Sequence, residues 1–414
     1  MRDHSGHIQA EREEALHIIV ENTPVMQETE SVPVELAVGR VLAEDACSQW
    51  DSPNALTCEL DSVAVHWDDF IQGIPDTSGW MRGRDWAFAN TGAAMPAGFD
   101  TAIVVEEVDF SDNDEKIRLR SVPVARYDGT VSPGSRMRRG DLLVPAGRML
   151  TPALTAYIAA GNNTQVQVLK KPVVAFLPTG NELVHPADGE VPRGKTMEST
   201  SITIAEKVRS WGGEPLIWEI VPDDREALKQ AIGSAAECAD IVVLNAGSSK
   251  GSEDWSMEVL GEIGTVFYHQ TNHGPGHHSS FSAVNGTPVV GLAGPPNGAA
   301  VTADYYLYPA VRAALGQDPK PKKVKARLAA SFDASRSRSG RDKKRRFESG
   351  AFYVVKQMRL SQGEDGVLEA WPPESSHLSP MQAEAADAYY LLSTAPGAEP
   401  PQLGDLIEVE LRPR

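Results

Sequence analysis

From residue 173 onward the chain alternates apolar strands with amphipathic helices, a rhythm that very few folds accommodate. VVAFLP (173–178) is apolar throughout, SITIAEKVRSWGG (201–213) has helical spacing and a glycine stop, and EPLIWEIVP (214–222) is extended again. DREALKQAIGSAAEC (224–238) starts a second helix on an aspartate, and ADIVVLNAG (239–247) is a buried strand. TVFYHQ (265–270), PVVGLAG (288–294) and AVTADYYLYPAVRAALG (300–316) continue the alternation. The pattern predicts a doubly wound, mainly parallel sheet with helices on both faces. Ligands of such sheets bind beyond the strand C-termini. Here those ends are PTGNEL (178–183), NAGSSKGSED (245–254) and LAGPPNG (292–298).

The rest of the chain reads differently. Residues 8–21 have the spacing of an amphipathic helix with acids in its first turns, and extended segments with a turn at Gly39 follow. Between 51 and 147, Gly, Pro and Asp turn signals separate the short runs VAVHW, WAFA, TAIVVEEV, KIRLRSV, VARYDG and DLLVPAG, which predicts a small β domain. TPALTAYIAAGN (151–162) is a Thr-capped, Pro-started helix that returns to the opening region. After 319 the segments VKARLAASF, GAFYVVKQM, GVLEAW, AYYLLS and DLIEVELRP predict a terminal β unit. The expected division is 1–50 continued by 148–170, then 51–147, 171–318 and 319–414. At 414 residues and 41% apolar, the chain can bury several cores.

A net charge of −18 disfavours nucleic acid as a partner. Twelve Lys/Arg between 320 and 346, against Asp333 and Asp342, form a local basic stretch suited to a small anion or a solvated hairpin. No apolar run approaches the roughly 18 residues a membrane span needs, and the acidic opening lacks a signal peptide's apolar block, so the expected location is the cytoplasm. Cys47, Cys58 and Cys238 are widely spaced without a CxxC, which argues against both a disulfide framework and a thiolate metal site. The eight tryptophans are scattered over all regions and read as core or domain-contact residues.

Three turns on one sheet edge would converge on one cleft. In the middle turn, Asn245, Gly247, Ser248, Ser249 and Gly251 have small side chains that let backbone N–H groups close on a phosphate, and Asp254 could hold a cation or a polar ring edge. Thr179, Gly180 and Glu182 in the first turn, and Gly294 and Pro295 in the third, complete the edge. No turn has the Lys-Ser/Thr ending of a P-loop or a GxGxxG pattern, so those nucleotide folds are disfavoured.

The order of a helical opening, a discontinuous β insert, TGAAMPAGFDTAIVVEE, GDLLVPAGRML, VAFLPTGNEL, ADIVVLNAGSSKGSEDW, VVGLAGPP and a C-terminal β unit resembles the MoeA/gephyrin molybdopterin molybdotransferases. The resemblance covers nearly the whole chain. It implies a MogA-like doubly wound α/β domain with a helical linker region, an inserted small β domain and a C-terminal β-barrel-like domain. It implies an elongated homodimer that uses Mg2+, takes molybdate and adenylylated molybdopterin as substrates, and releases AMP, with another cofactor-assembly protein as a further partner. Matching the family's motifs makes Asp61, Glu182 and Asp254 the catalytic and metal-holding candidates. Thr91, Gly92 and Glu198 join the turn residues as substrate-binding candidates. Carboxylates suit a hard divalent cation beside phosphate oxygens, and a Thr hydroxyl with backbone N–H suits an oxyanion.

The departures carry information too. The family's DNSAMDGYAV is LTCELDSVAV here, keeping Asp61; its GED is Gly134-Ser135-Arg136; the Asp of its YDTN is Glu198; its PGNP turn is Ala293-Gly294-Pro295-Pro296. Its K-x-x-x-K-P-G-K-P run is Gln270-Thr271-Asn272-His273-Gly274-Pro275-Gly276-His277-His278, without a lysine. Each desolvated charged hydrogen bond removed costs about 1.5–3 kcal/mol. His273, His277 and His278 are candidate alternative metal ligands; a ligand-facing polar surface and a solvated loop are the competing readings. At the level of function, a degenerate cofactor carrier competes with the enzyme, and an anion or metal sensor built on the histidines is a third reading.

Overall fold

The computed structural model describes residues 8–111, 113–186, 190–245, 255–332, 352–373, 378–395 and 397–413. The chain divides into two compact units, one of residues 29–169 and one of the flanking 1–28 and 170–414.

In the smaller unit, Ser62–Val65 is the centre of a three-stranded antiparallel sheet between Trp86–Ala89 and Thr101–Val104. Its core gathers Val63, Val65, Phe70, Trp86 and Ile103. A second core, with Leu42, Val144, Leu150, Ile158 and Val168, lies under the antiparallel pair Thr29–Pro33 and Gln165–Leu169. The helix Pro152–Ala160 has the expected cap, since Thr151 Oγ1 accepts from Leu154 N–H at 3.3 Å. The 124–129 run VARYDG, expected to be extended, makes turns instead, with Tyr127 at φ 72°.

The larger unit opens with α1 (Arg12–Glu21) and builds a six-stranded sheet from β1 (Val173–Pro178), β2 (Glu214–Ile217), β3 (Ile241–Asn245), β4 (Thr265–Tyr268), β5 (Ser280–Val284) and β6 (Thr287–Leu292). The order is β2-β1-β3-β6-β5-β4, parallel through β6 and antiparallel at the β5–β4 end. β1, β3 and β6 are buried along almost their whole length, because helices cover both faces. α2 (Thr200–Trp211) packs on β1 and β2. On the face carrying Ala175, Leu177, Val242 and Leu244 lie α3 (Arg225–Cys238) and α4 (Ser256–Ile263). Asp224 caps α3 by accepting from Ala227 N–H at 2.9 Å, as its sequence predicts.

β5 escapes the sequence reading because Ser280 and Ser282 break its apolar pattern. Its signal is the Asn285-Gly286 pair that turns it into β6, both residues at positive φ (53° and 87°), the geometry of a two-residue hairpin. After β6 come α5 (Pro296–Thr302), a π-helical turn (Ala303–Leu307) and α6 (Tyr308–Ala314).

The last strands are β7 (Lys323–Leu328), β8 (Tyr353–Gln362), β9 (Leu368–Trp371), β10 (Ala388–Ser393) and β11 (Leu406–Leu411). Their order β8-β9-β7-β11-β10 closes through a β8–β10 pairing into a five-stranded barrel, which removes free edges. Leu328, Met358, Ala370, Ala388 and Val409 fill it.

A buried acid joins the barrel to the α/β layer. Asp304, in the π-helical turn, accepts from Lys207 Nζ of α2 at 2.5 Å and from the Tyr389 hydroxyl of β10 at 2.7 Å, with Arg412 Nε at 3.4 Å. The Asp304 side chain is fully buried, so removing it strands Lys207 and Arg412 without their counter-charge. The Asp304→Ala variant is expected to lose about 3–5 kcal/mol of stability, read by urea denaturation of the full chain. A loss below about 1 kcal/mol would show that the acid does not couple the two layers.

Candidate functional site

β1, β3 and β6 end together. Pro178 is in register with Asn245, and Asn245 with Leu292, so the three strands release their turns at one level of the sheet edge. Side chains then stitch the ends sideways: Thr179 Oγ1 donates to Asn245 O at 2.9 Å, and Asn245 Nδ2 donates to Ala293 O at 2.9 Å. Both Thr179 and Asn245 are buried. These two substrate-binding candidates therefore spend their side chains on the scaffold, and what the edge can offer a ligand is backbone N–H groups and the residues beyond them.

The first turn is held from a second loop. Gly180 N–H donates to Val221 O at 3.1 Å, Asn181 N–H to Asp223 Oδ2 at 2.9 Å, and Asp223 N–H returns to Asn181 Oδ1 at 3.2 Å. Gly180 has φ +145°, and a Cβ there would stand 2.5 Å from Glu182 Oε2. The glycine thus makes room for the Glu182 carboxylate, which is exposed at the edge. Gly294 and the exposed Pro295 lead into α5. Gly247, Ser248, Ser249, Gly251 and Asp254 lie outside the described residues.

Glu198 departs from its expected role. Its carboxylate is buried and turned onto its own helix, accepting from Ser201 N–H at 2.9 Å and Ser201 Oγ at 2.5 Å, so it caps α2 rather than facing a ligand. The residues that sequence reasoning passed over at this edge are Asn181 and Asp223, whose only signal was their turn chemistry, and Lys195, whose ammonium donates to Asn181 O.

In the smaller unit, Asp61 and Thr91 come together. Asp61 Oδ1 accepts from Thr91 N–H at 2.8 Å and Thr91 Oγ1 at 2.9 Å, and Gly92 N–H donates to Cys58 O at 3.1 Å. These bonds, the backbone one foremost, hold the Asp61 carboxyl below the usual carboxylate range, so it is a fixed anion at neutral pH. Below it Cys58 is buried, its thiol pushed up to about 11 by burial and by the Asp61 charge. It is a packed, protonated thiol against Met95.

The histidine stretch corrects two expectations at once. Gln270–Thr271 pairs with Gln9–Ala10, and His273–Gly274 pairs with Tyr353–Val354 at the start of β8, so both sides of the bend at Asn272 are strand rather than solvated loop. Thr271, Asn272 and His273 are buried. His273 uses both ring nitrogens, Nδ1 with Pro275 O at 3.0 Å and Nε2 with the Tyr306 hydroxyl at 2.5 Å. His277 and His278 stack on each other at 3.8 Å. No group of three or more His, Cys, Asp or Glu among the described residues could hold a metal, so His273, His277 and His278 do not assemble a centre.

Two family models match the chain: the MoeA N-terminal region (domain I and II) over residues 10–161, and a "probable molybdopterin binding domain" over 175–313. The chain belongs to the MoeA family. Named relatives run through both regions. A molybdopterin molybdenumtransferase of Nostoc is 28% identical over 75% of this chain and 76% of its own length. One from Haemophilus influenzae is 24% identical over 83% and 86%. A molybdopterin biosynthesis MoeA protein of Pyrococcus horikoshii aligns over 98% of this chain and 99% of its own, with a TM-score of 0.72 and 24% identity, and shares the fold. The 270–278 stretch of this chain holds no lysine, and its centre, Thr271, Asn272 and His273, is buried. No described helix is long and apolar enough to cross a membrane.

Burial pulls the His273 imidazole down to about 3 from an ordinary 6.5, so it is neutral in the folded chain. The unfolded chain binds a proton there as pH falls below about 6.5 and the folded chain does not, so stability drops with acidification down to about pH 3, by up to about 1.4 kcal/mol per unit. His273→Gln is expected to flatten that slope in urea titrations between pH 7.5 and 5. An unchanged slope would show that His273 protonates freely in the fold.

Proposed function

We propose that the chain is a molybdopterin molybdenumtransferase of molybdenum cofactor assembly, which takes adenylylated molybdopterin and molybdate, places the metal in the dithiolene and releases AMP. The observation that carries this reading is the sheet edge inside the family's molybdopterin-binding region, where three parallel strands end in register and Glu182 stands exposed beside a fixed turn. Backbone N–H groups of Glu182, Gly294, Asn297 and Gly298 would hold the pterin phosphate, since those of Gly180 and Asn181 are engaged with Val221 and Asp223. Thr91 and Gly92 are the substrate-binding candidates of the smaller unit.

Mg2+ belongs to this reading through its donors. It takes oxygen ligands, and Asp61 and Glu182 are each exposed carboxylates able to supply one; Asp254 would be a further donor. When bound, the cation would neutralise phosphate charge and polarise the oxyanion. Asp61, already ionised by its Thr91 bonds, offers its Oδ2, which takes no hydrogen bond among the described residues. A cytoplasmic homodimer that receives its pterin from another assembly protein completes the proposal.

The carrier reading is not favoured, because the relatives covering about three quarters of the chain are named as transferases. For the metal form of the sensor reading, the described residues hold no group of three or more His, Cys, Asp or Glu that could bind a metal. The test is AMP release by the full chain from adenylylated molybdopterin, with molybdate and Mg2+. Molybdate-dependent release is expected, and Glu182→Ala and Asp61→Ala should each lower it about 100-fold or more. Pterin binding without AMP release under these conditions would contradict the enzyme reading.

A further inference from the structure

We propose that Lys195 is the cationic substrate-binding residue of this sheet edge, taking a phosphate or molybdate oxygen in place of the ammonium groups absent from 270–278. The proposal rests on the transferase reading above and adds a side-chain charge to the cation that reading invokes.

A chain of net charge −18 that binds a multiply anionic ligand needs a local cation at the binding edge. The 270–278 stretch cannot provide one: it holds no lysine, its centre is buried, and His273 is a neutral imidazole with both nitrogens engaged. Lys195 comes from elsewhere in the sequence to the right place. Thr196–Met197 pairs in parallel with Leu183–Val184, and Thr196 N–H donates to Glu182 O at 2.8 Å, so Lys195 flanks the same turn as Glu182.

Its ammonium donates to the carbonyl of Asn181, the residue that the reciprocal bonds with Asp223 fix. Among the described residues no carboxylate lies within ion-pair distance of Lys195, and the side chain is exposed. An ammonium has three donors, so two remain for a ligand. Tethered to a fixed turn and free of a counter-charge, the group is held at the edge rather than roaming in solvent. That arrangement serves an anion bound at the edge through the remaining donors of the Lys195 ammonium.

The test separates charge from loop support. Gln at 195 can still donate to the Asn181 carbonyl but carries no charge, whereas Arg keeps the charge. Adenylylated molybdopterin is titrated into the full-length wild type, K195Q and K195R at several salt concentrations. The wild type is expected to bind, K195Q to bind about 10- to 100-fold more weakly with a shallower salt dependence, and K195R to lie closer to wild type than K195Q does. All three should unfold at the same temperature. Wild-type affinity and salt dependence in K195Q would overturn the role of Lys195 while leaving the transferase reading intact. Equal losses in K195Q and K195R would assign Lys195 to loop support and overturn it as well. A wild type that binds no pterin would remove the transferase reading, and this proposal with it.

Discussion

Three parallel strands that stop at one register level set the terms for the rest of this molecule. Because Pro178 and Leu292 are both cross-strand partners of Asn245, the three strands end level with one another. Thr179 and Asn245 then lock the level by donating across to the neighbouring strand end. Hydrogen bonds between buried groups in a low-dielectric interior resist distortion, since breaking one leaves an unpaired polar atom out of reach of water. What projects beyond them is therefore held by the sheet rather than by the ligand, as preorganised binding of a charged group requires.

The same logic bears on the 270–278 stretch, which holds no lysine. A strand that pairs with residues 9–10 on one side and with the barrel on the other has an interior environment, and an ammonium there would face a desolvation cost of several kcal/mol. Polar but neutral side chains fit: Thr271, Asn272 and a His273 kept uncharged beside Tyr306. Nearby, the charges that are buried come in matched sets, Arg12 with Glu410 at 3.0 and 2.5 Å and Asp304 with Lys207 and Arg412. The region between sheet and barrel thus reads as a structural core with paired charges.

Much of this was legible beforehand, and the reasons are local. The apolar runs at 173–178 and 241–245, the Asp224 and Thr151 caps and the alternation of period declared the α/β layer and its binding edge. Asp61 with Thr91 was legible only through motif resemblance, since nothing in their spacing of thirty residues announces one hydrogen bond. Glu198 was misread because a carboxylate before a helix can serve a ligand or the helix, and only the fold shows it serving Ser201. For the histidine stretch the solvated-loop alternative rests on its Gly-Pro-Gly signal, while the burial of 271–273 depends on strands far away in sequence. Lys195 and Asp223 were invisible for the same reason: tertiary pairing, and not local pattern, brings them to the turn.

The claim that the aligned strand ends form the pterin-phosphate site can be examined without any variant. Hydrogen exchange of the full chain, followed by mass spectrometry with and without molybdopterin, maps which amides the ligand protects. The account predicts protection concentrated at 178–183, 194–197 and 292–298. Protection confined to the barrel or to 268–278, with those turns unchanged, would contradict it.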